Sequence, residues 1–165
     1  MSRDFAEHLV TQWSEARPEL DAAPMALVVR IMRVNALLSE RLAKVLAAHG
    51  LSVWEFDMLA TLRRNGPDGL SPKQLQREML LSSGAMTHRI DRLEEAGLVE
   101  RRPEPTDRRG TIVRLTPAGA KRVDPIIRDR FEDARQVLEL LDPAQARAVS
   151  DGLRKLAIEL QDGSW

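Results

Sequence analysis

The stretch from Ser71 to Gly119 constrains this chain most, because it places two helix signals, a turn and two strand signals in one short run. Ser71 is a good N-cap and Pro72 suits the first helical position, which predicts a helix carrying Leu75 and Met79 on one side. Ser82 or Ser83 then caps a second helix, closed where Gly97 supplies a left-handed C′ residue. On that helix Met86, Ile90 and Leu93 form one apolar stripe at i, i+4, i+7. At about 100° per residue, Gly84, His88 and Asp91 project roughly opposite the stripe, with Thr87 and Arg92 flanking them. A short helix with an apolar back and a small, hydrogen-bonding front suits a DNA major groove, with Ser83, Gly84, Thr87, His88 and Arg92 as its contact positions.

Beyond Gly97 the pattern changes. Leu98 to Arg101 and Thr111 to Leu115 are two strand-like runs of β-branched and apolar residues. The segment RPEPTDRRG between them, with two prolines and a glycine, reads as a hairpin loop. Arg108 and Arg109 at its tip, with Arg101, Arg102 and Arg114 on its arms, are read as phosphate or minor-groove contacts, and Asp107 as the brace of an arginine there. Helix, turn, helix and basic ribbon together predict a winged helix-turn-helix.

The flanking sequence is helical. Phe5, Leu9 and Trp13 mark an amphipathic helix from Asp4 to Glu15. Pro24 opens a long helix reaching about His49, where Gly50 closes it, and its apolar residues occupy more than one face. Ser52 caps a helix to about Arg64 that reads as a core element, followed by a loop from Asn65 to Gly69. Thr116-Pro117 starts another helix, expected to reach Leu141 with a kink at Pro125. Asp142-Pro143 opens the last, with Val149, Leu153, Leu156 and Leu160 on one stripe. So small a fold cannot cover all these stripes. The fold class expected is mainly α with a small β-wing: a winged helix-turn-helix over 51–116, and a helical dimerisation region built by 1–50 and 117–165.

Composition bounds the function. The formal net charge is zero, from 25 basic and 25 acidic residues, and between Pro72 and Thr116 nine Lys/Arg stand against seven Asp/Glu. Any basic surface must therefore come from arrangement, and a winged-helix protein-interaction module that does not bind DNA is the alternative reading. The absence of cysteine excludes disulfides and thiolate metal sites. His8, His49 and His88 make no metal-ligand spacing, so neither a metal nor another cofactor is expected. A hydrolase built on His88 and Asp91 would need a nucleophile and an oxyanion site that the sequence does not offer, so the chain is not read as an enzyme. The N-terminus lacks a signal-peptide core and no run approaches a membrane span, which points to a cytoplasmic protein with no membrane partner.

The run GAMTHRIDRLEEAGLVERRPEPTDRRGTIVRLTPAG, with Asp107-x-Arg109 followed by Val113-x-Leu115-Thr116-x-x-Gly119, resembles the MarR family of bacterial transcription regulators. The resemblance covers nearly the whole chain. It implies a triangular homodimer that binds a palindromic double-stranded DNA operator, usually as a repressor, and is released by a small aromatic acid. Trp13, the following RPELD, Phe56-Asp57 and Arg89-Ile90-Asp91-Arg92 are similar to urate- and xanthine-responsive members, which implies a purine-like effector lined by Trp13, Asp57 and Arg89. Asp57, on a largely apolar helix, is expected to be half-buried and to need a partner. An Asp57–Arg89 pair either ties sensor to reader or is a plain structural salt bridge. Trp13 either covers a ligand or pins the first helix.

Overall fold

The computed structural model describes residues 5–79, 83–104 and 110–161. Its elements run α1 (Phe5–Ala16), α2 (Ala23–Ala48), α3 (Val53–Arg64), α4 (Pro72–Met79), α5 (Ser83–Glu95), β1 (Val99–Pro103), β2 (Thr111–Leu115), α6 (Pro117–Leu138) and α7 (Pro143–Gln161). The sheet is a two-stranded antiparallel ribbon. The chain divides into two compact units, 1–58 and 59–165, with the boundary inside α3.

In the first unit α1 packs against α2. The long helix α2 carries a proline in its first turn, and the Asp21 side chain accepts from the Ala23 N–H at 3.0 Å. It ends where Gly50 takes φ 63° and the Leu51 N–H returns to the Leu46 carbonyl at 3.1 Å, the left-handed closure expected of that glycine. Only Ala26 and Leu46 of α2 are buried; Met25, Leu27, Val28, Met32, Val34, Leu37 and Leu38 stay exposed. Among the described residues α1 is the main packing partner of this helix, where its apolar faces led us to expect several.

Local capping sets the helix starts. The Ser52 N–H donates to Glu55 at 2.8 Å, and the Ser71 N–H donates to Gln74 at 2.8 Å while the Gln74 N–H donates back to Ser71 Oγ at 3.3 Å. Thr116 Oγ1 accepts from the Gly119 N–H at 2.9 Å, and Asp142 Oδ1 accepts from the Gln145 N–H at 2.9 Å. Helix α6 is shorter than expected. It stops at Leu138, and tight bonds from the Leu140 and Leu141 N–H groups to the Val137 and Leu138 carbonyls make the turn into Asp142. Within α6 Pro125 lies inside one continuous helix.

The core of the second unit gathers Leu59, Leu62, Leu70, Leu75, Met86, Ile90, Leu93, Val99, Val113, Val123 and Ile126. The ribbon pairs Val99 with Leu115, Arg101 with Val113 and Pro103 with Thr111, so β1 lies further along the chain than the hydrophobic run implied. A third partner was missed. Leu70 bridges Val113, exchanging bonds of 2.9 and 2.8 Å, so the segment after the 65–69 loop joins the sheet. Gly69, at φ 80°, permits this, because a Cβ there would overlap the Val113 carbonyl oxygen and stand 2.8 Å from Ile112 Cγ2. Val113 is consequently held from both sides.

Gly119 is a second close approach. A Cβ on it would overlap the Leu98 carbonyl oxygen and press on Leu115 at 3.1 Å, whereas one on Gly66, at φ 89°, would meet nothing within 4 Å. Gly119→Ala should therefore lower the unfolding free energy by about 2–4 kcal/mol, and Gly66→Ala by about 1–2 kcal/mol of left-handed strain. Urea unfolding midpoints measure both. Equal losses would show that the packing of α6 against Leu98 is not tight.

Candidate nucleic-acid interface

Helix α5 has two unlike sides. Met86, Ile90 and Leu93 are each 1% exposed, so the apolar stripe is fully committed to the core. Gly84, Thr87, His88 and Arg92 are exposed, and no atom lies within 4 Å of the place a Gly84 Cβ would occupy. The front of the helix is thus smooth near its start and polar along its length, the profile a groove-inserting helix needs. α4 lies against α5 and buries Leu75 completely. Ser83 opens α5, but its side chain lies outside the described residues, as does Ser82, and so do Asp107, Arg108 and Arg109 of the hairpin loop.

The arms of the ribbon differ from the expected rows of phosphate contacts. Arg101 is opposite buried Val113 and turns its guanidinium onto α5, donating to both Asp91 and Glu94, while its backbone N–H donates to Glu94 at 3.0 Å. On the other face, Glu100 accepts from Arg114 at 2.6 Å and lies 2.8 Å from Arg102. All three arm arginines are therefore paired internally: Arg114 across the strand register, Arg102 along its own strand and Arg101 onto α5. Partial burial pulls the Arg101 pKa down, but the bonds to Asp91 and Glu94 outweigh it and leave the group above its ordinary value. Hydrogen bonds from Arg102 and Arg114 hold Glu100 below the usual carboxylate range. That pairing favours the folded state above the unfolded carboxylate pKa and is lost as pH falls through the lowered one.

Arg63 at the end of α3 grips Asp124 of α6 with bonds of 2.6 and 3.2 Å, and the Arg63 hydrogen bond lowers the Asp124 pKa. A cleft of about 310 Å³ lies beside this pair, lined by Leu62, Pro67, Glu100, Arg114 and Pro117 among others. A second hollow of about 340 Å³ lies between α1 and α2, over Phe5, Leu9, Val29, Met32 and Ala36 with Arg33 at its edge. Neither hollow is lined by Trp13, Asp57 or Arg89. Trp13 is 46% exposed on α1, and Arg89 is half-buried on the shoulder of α5. Asp57 is exposed rather than half-buried, because the core side of α3 is taken by Met58, Leu59, Thr61 and Leu62. None of Asp57, Thr87, Arg89 and Arg92 is without an interaction partner. No helix among the described residues is long and apolar enough to cross a membrane.

Comparison with known proteins agrees with this geometry. The sequence is 38% identical, over 79% of this chain and 79% of the relative, to the HTH-type transcriptional regulator PecS of Dickeya dadantii. Among solved structures, AbsC, a MarR family transcriptional regulator from Streptomyces coelicolor, superposes with a TM-score of 0.79 at 26% identity, covering 87% of this chain and 97% of that one. A mutant MarR from E. coli complexed with operator DNA gives 0.69 at 27% identity, covering 87% and 96%. The sequence model of the MarR family matches residues 49–110, from the end of α2 to the last loop residue of the wing. Two helices, one with an exposed polar face, and a paired ribbon, carried on a chain this similar along most of its length, place the protein in the MarR family of winged helix-turn-helix transcriptional regulators.

Proposed function

We propose that the chain is a homodimeric, DNA-binding repressor of the MarR type, which holds a palindromic operator until a small aromatic anion releases it. One observation carries the DNA reading: α5 buries Met86, Ile90 and Leu93 and turns Gly84, Thr87, His88 and Arg92 outward. The operator DNA bound by the similar E. coli protein supports it. Ser83, Gly84, Thr87, His88 and Arg92 read the major groove, Arg108 and Arg109 contact the backbone or minor groove, and Asp107 braces the loop. Residues 51–116 form the reading unit. Residues 1–50 and 117–165 form the dimer, a reading supported by α7, which buries no residue of its own and leaves Val149, Leu153, Leu156, Ile158 and Leu160 exposed.

For the effector, Trp13, Asp57 and Arg89 form the candidate pocket, and a planar purine anion such as urate fits their chemistry. The indole face stacks and the guanidinium pairs with the charge. Release requires the effector to bind the DNA-incompetent conformation more tightly, and a ratio of about 100 would supply about 2.7 kcal/mol of coupling.

Fluorescence anisotropy on the intergenic DNA upstream of the chain's own gene tests the DNA reading, which salt-sensitive binding would support. No binding at low salt would favour the protein-interaction module instead. Arg109→Ala should weaken all sequences alike and lower the salt slope by about one, while changes at Thr87 or His88 alter sequence preference by about 1–3 kcal/mol per lost base contact. Deleting residues 143–165 should leave a monomer or aggregate in sedimentation, and a stable dimer would remove α7 from the interface. Operator release by urate, xanthine or salicylate should weaken in Trp13→Phe and Asp57→Asn. Full release persisting in both variants would reject this pocket.

A further inference from the structure

We propose that Arg101 is a positioning residue: it clamps the C-terminal half of α5 to β1 and so sets the angle between reading helix and wing, without itself touching DNA. The inference rests on the DNA-binding reading above, and its chemistry is local. A two-stranded ribbon is marginal by itself and needs a tether to hold one orientation. Arg101 provides it at two points. Its guanidinium bridges Asp91 and Glu94, one helical turn apart on α5, and its backbone N–H donates to the same Glu94 at 3.0 Å. The strand register turns this side chain inward, opposite Val113, while its neighbour Arg102 is exposed. One cation between two carboxylates leaves the cluster formally negative, so it does not attract a phosphate. Without the cation, Asp91 and Glu94 would repel each other along the helix and repel any backbone laid against it.

A phosphate contact and a brace predict opposite signs. Glu94→Gln loosens the arginine and the pair Asp91→Asn with Glu94→Gln frees it, and both make the protein more positive. If Arg101 were a phosphate contact, operator affinity would rise. As a brace, its release should lower operator affinity about tenfold, the scale of one lost charge-assisted hydrogen bond. Arg101→Met should lower operator affinity similarly and keep the slope of log affinity against log salt, where loss of a phosphate contact would lower it by about one. Glu94→Gln alone keeps Asp91 on the helix, so its loss of affinity cannot come from a base contact by Asp91.

A readout without DNA separates the two layers. Amide hydrogen exchange of the full chain should quicken about tenfold at Leu98–Arg101 and the last turn of α5 in Glu94→Gln and Arg101→Met, with α7 unchanged. Unchanged exchange at β1, a rise in affinity, or a lowered salt slope in Arg101→Met would each overturn the clamp. Quickened exchange in a protein whose wild type binds no duplex would leave the clamp standing and reject the DNA reading instead.

Discussion

The turn at Gly97 and Leu98 is the joint on which the winged unit depends. Gly97, at φ 70°, ends α5, and the Leu98 N–H closes it on the Leu93 carbonyl at 2.9 Å. The next peptide then receives the far end of the ribbon, because the Thr116 N–H donates to the Leu98 carbonyl at 3.1 Å and Thr116 Oγ1 donates to the Gly97 carbonyl at 2.7 Å. The same hydroxyl caps α6 by accepting from the Gly119 N–H. One turn therefore terminates α5, starts β1, finishes β2 and launches α6. Gly119 without a side chain is what lets α6 approach that closely. Apolar burial supplies the bulk of the stabilisation, and the turn fixes which geometry that burial selects.

Charge in this protein is balanced in sum and organised by pairing. The whole chain is formally neutral, and the wing arms spend their arginines on Asp91, Glu94 and Glu100. A census of basic residues consequently misjudges the surface, because pairing decides which cations are available to a polyanion. Internal pairing also stiffens the ribbon, since each cross-strand or strand-to-helix pair removes a degree of freedom that docking would otherwise have to freeze.

Much of this was legible in the sequence wherever the cause was local. Ser52, Ser71, Thr116 and Asp142 announce helix starts because a cap needs only the three residues that follow. The stripe of Met86, Ile90 and Leu93 gave the buried side of α5 from periodicity alone. Features set by distant residues were not visible. The Leu70–Val113 bridge is one residue long and has no period to detect. The partner of Arg114 depends on ribbon register, which a hairpin loop with two prolines does not specify by itself, and those of Arg101 depend on how β1 lies against α5. Asp57 was expected half-buried because its helix is apolar, yet an apolar wheel does not say which of its sides the same chain covers. The same gap applies to α2, whose apolar residues are numerous and mostly exposed.

A hydroxyl-radical footprint of the full chain on the duplex it binds shows whether α5 enters successive major grooves. Two reading helices carried by a symmetric dimer should protect two tracts, related by the operator's dyad and centred about one helical turn or 10 base pairs apart. Backbone cuts facing the minor grooves outside them should be shielded by the wing loops. Protection of a single tract, or a uniform coat without phase, would contradict insertion of α5 into successive major grooves.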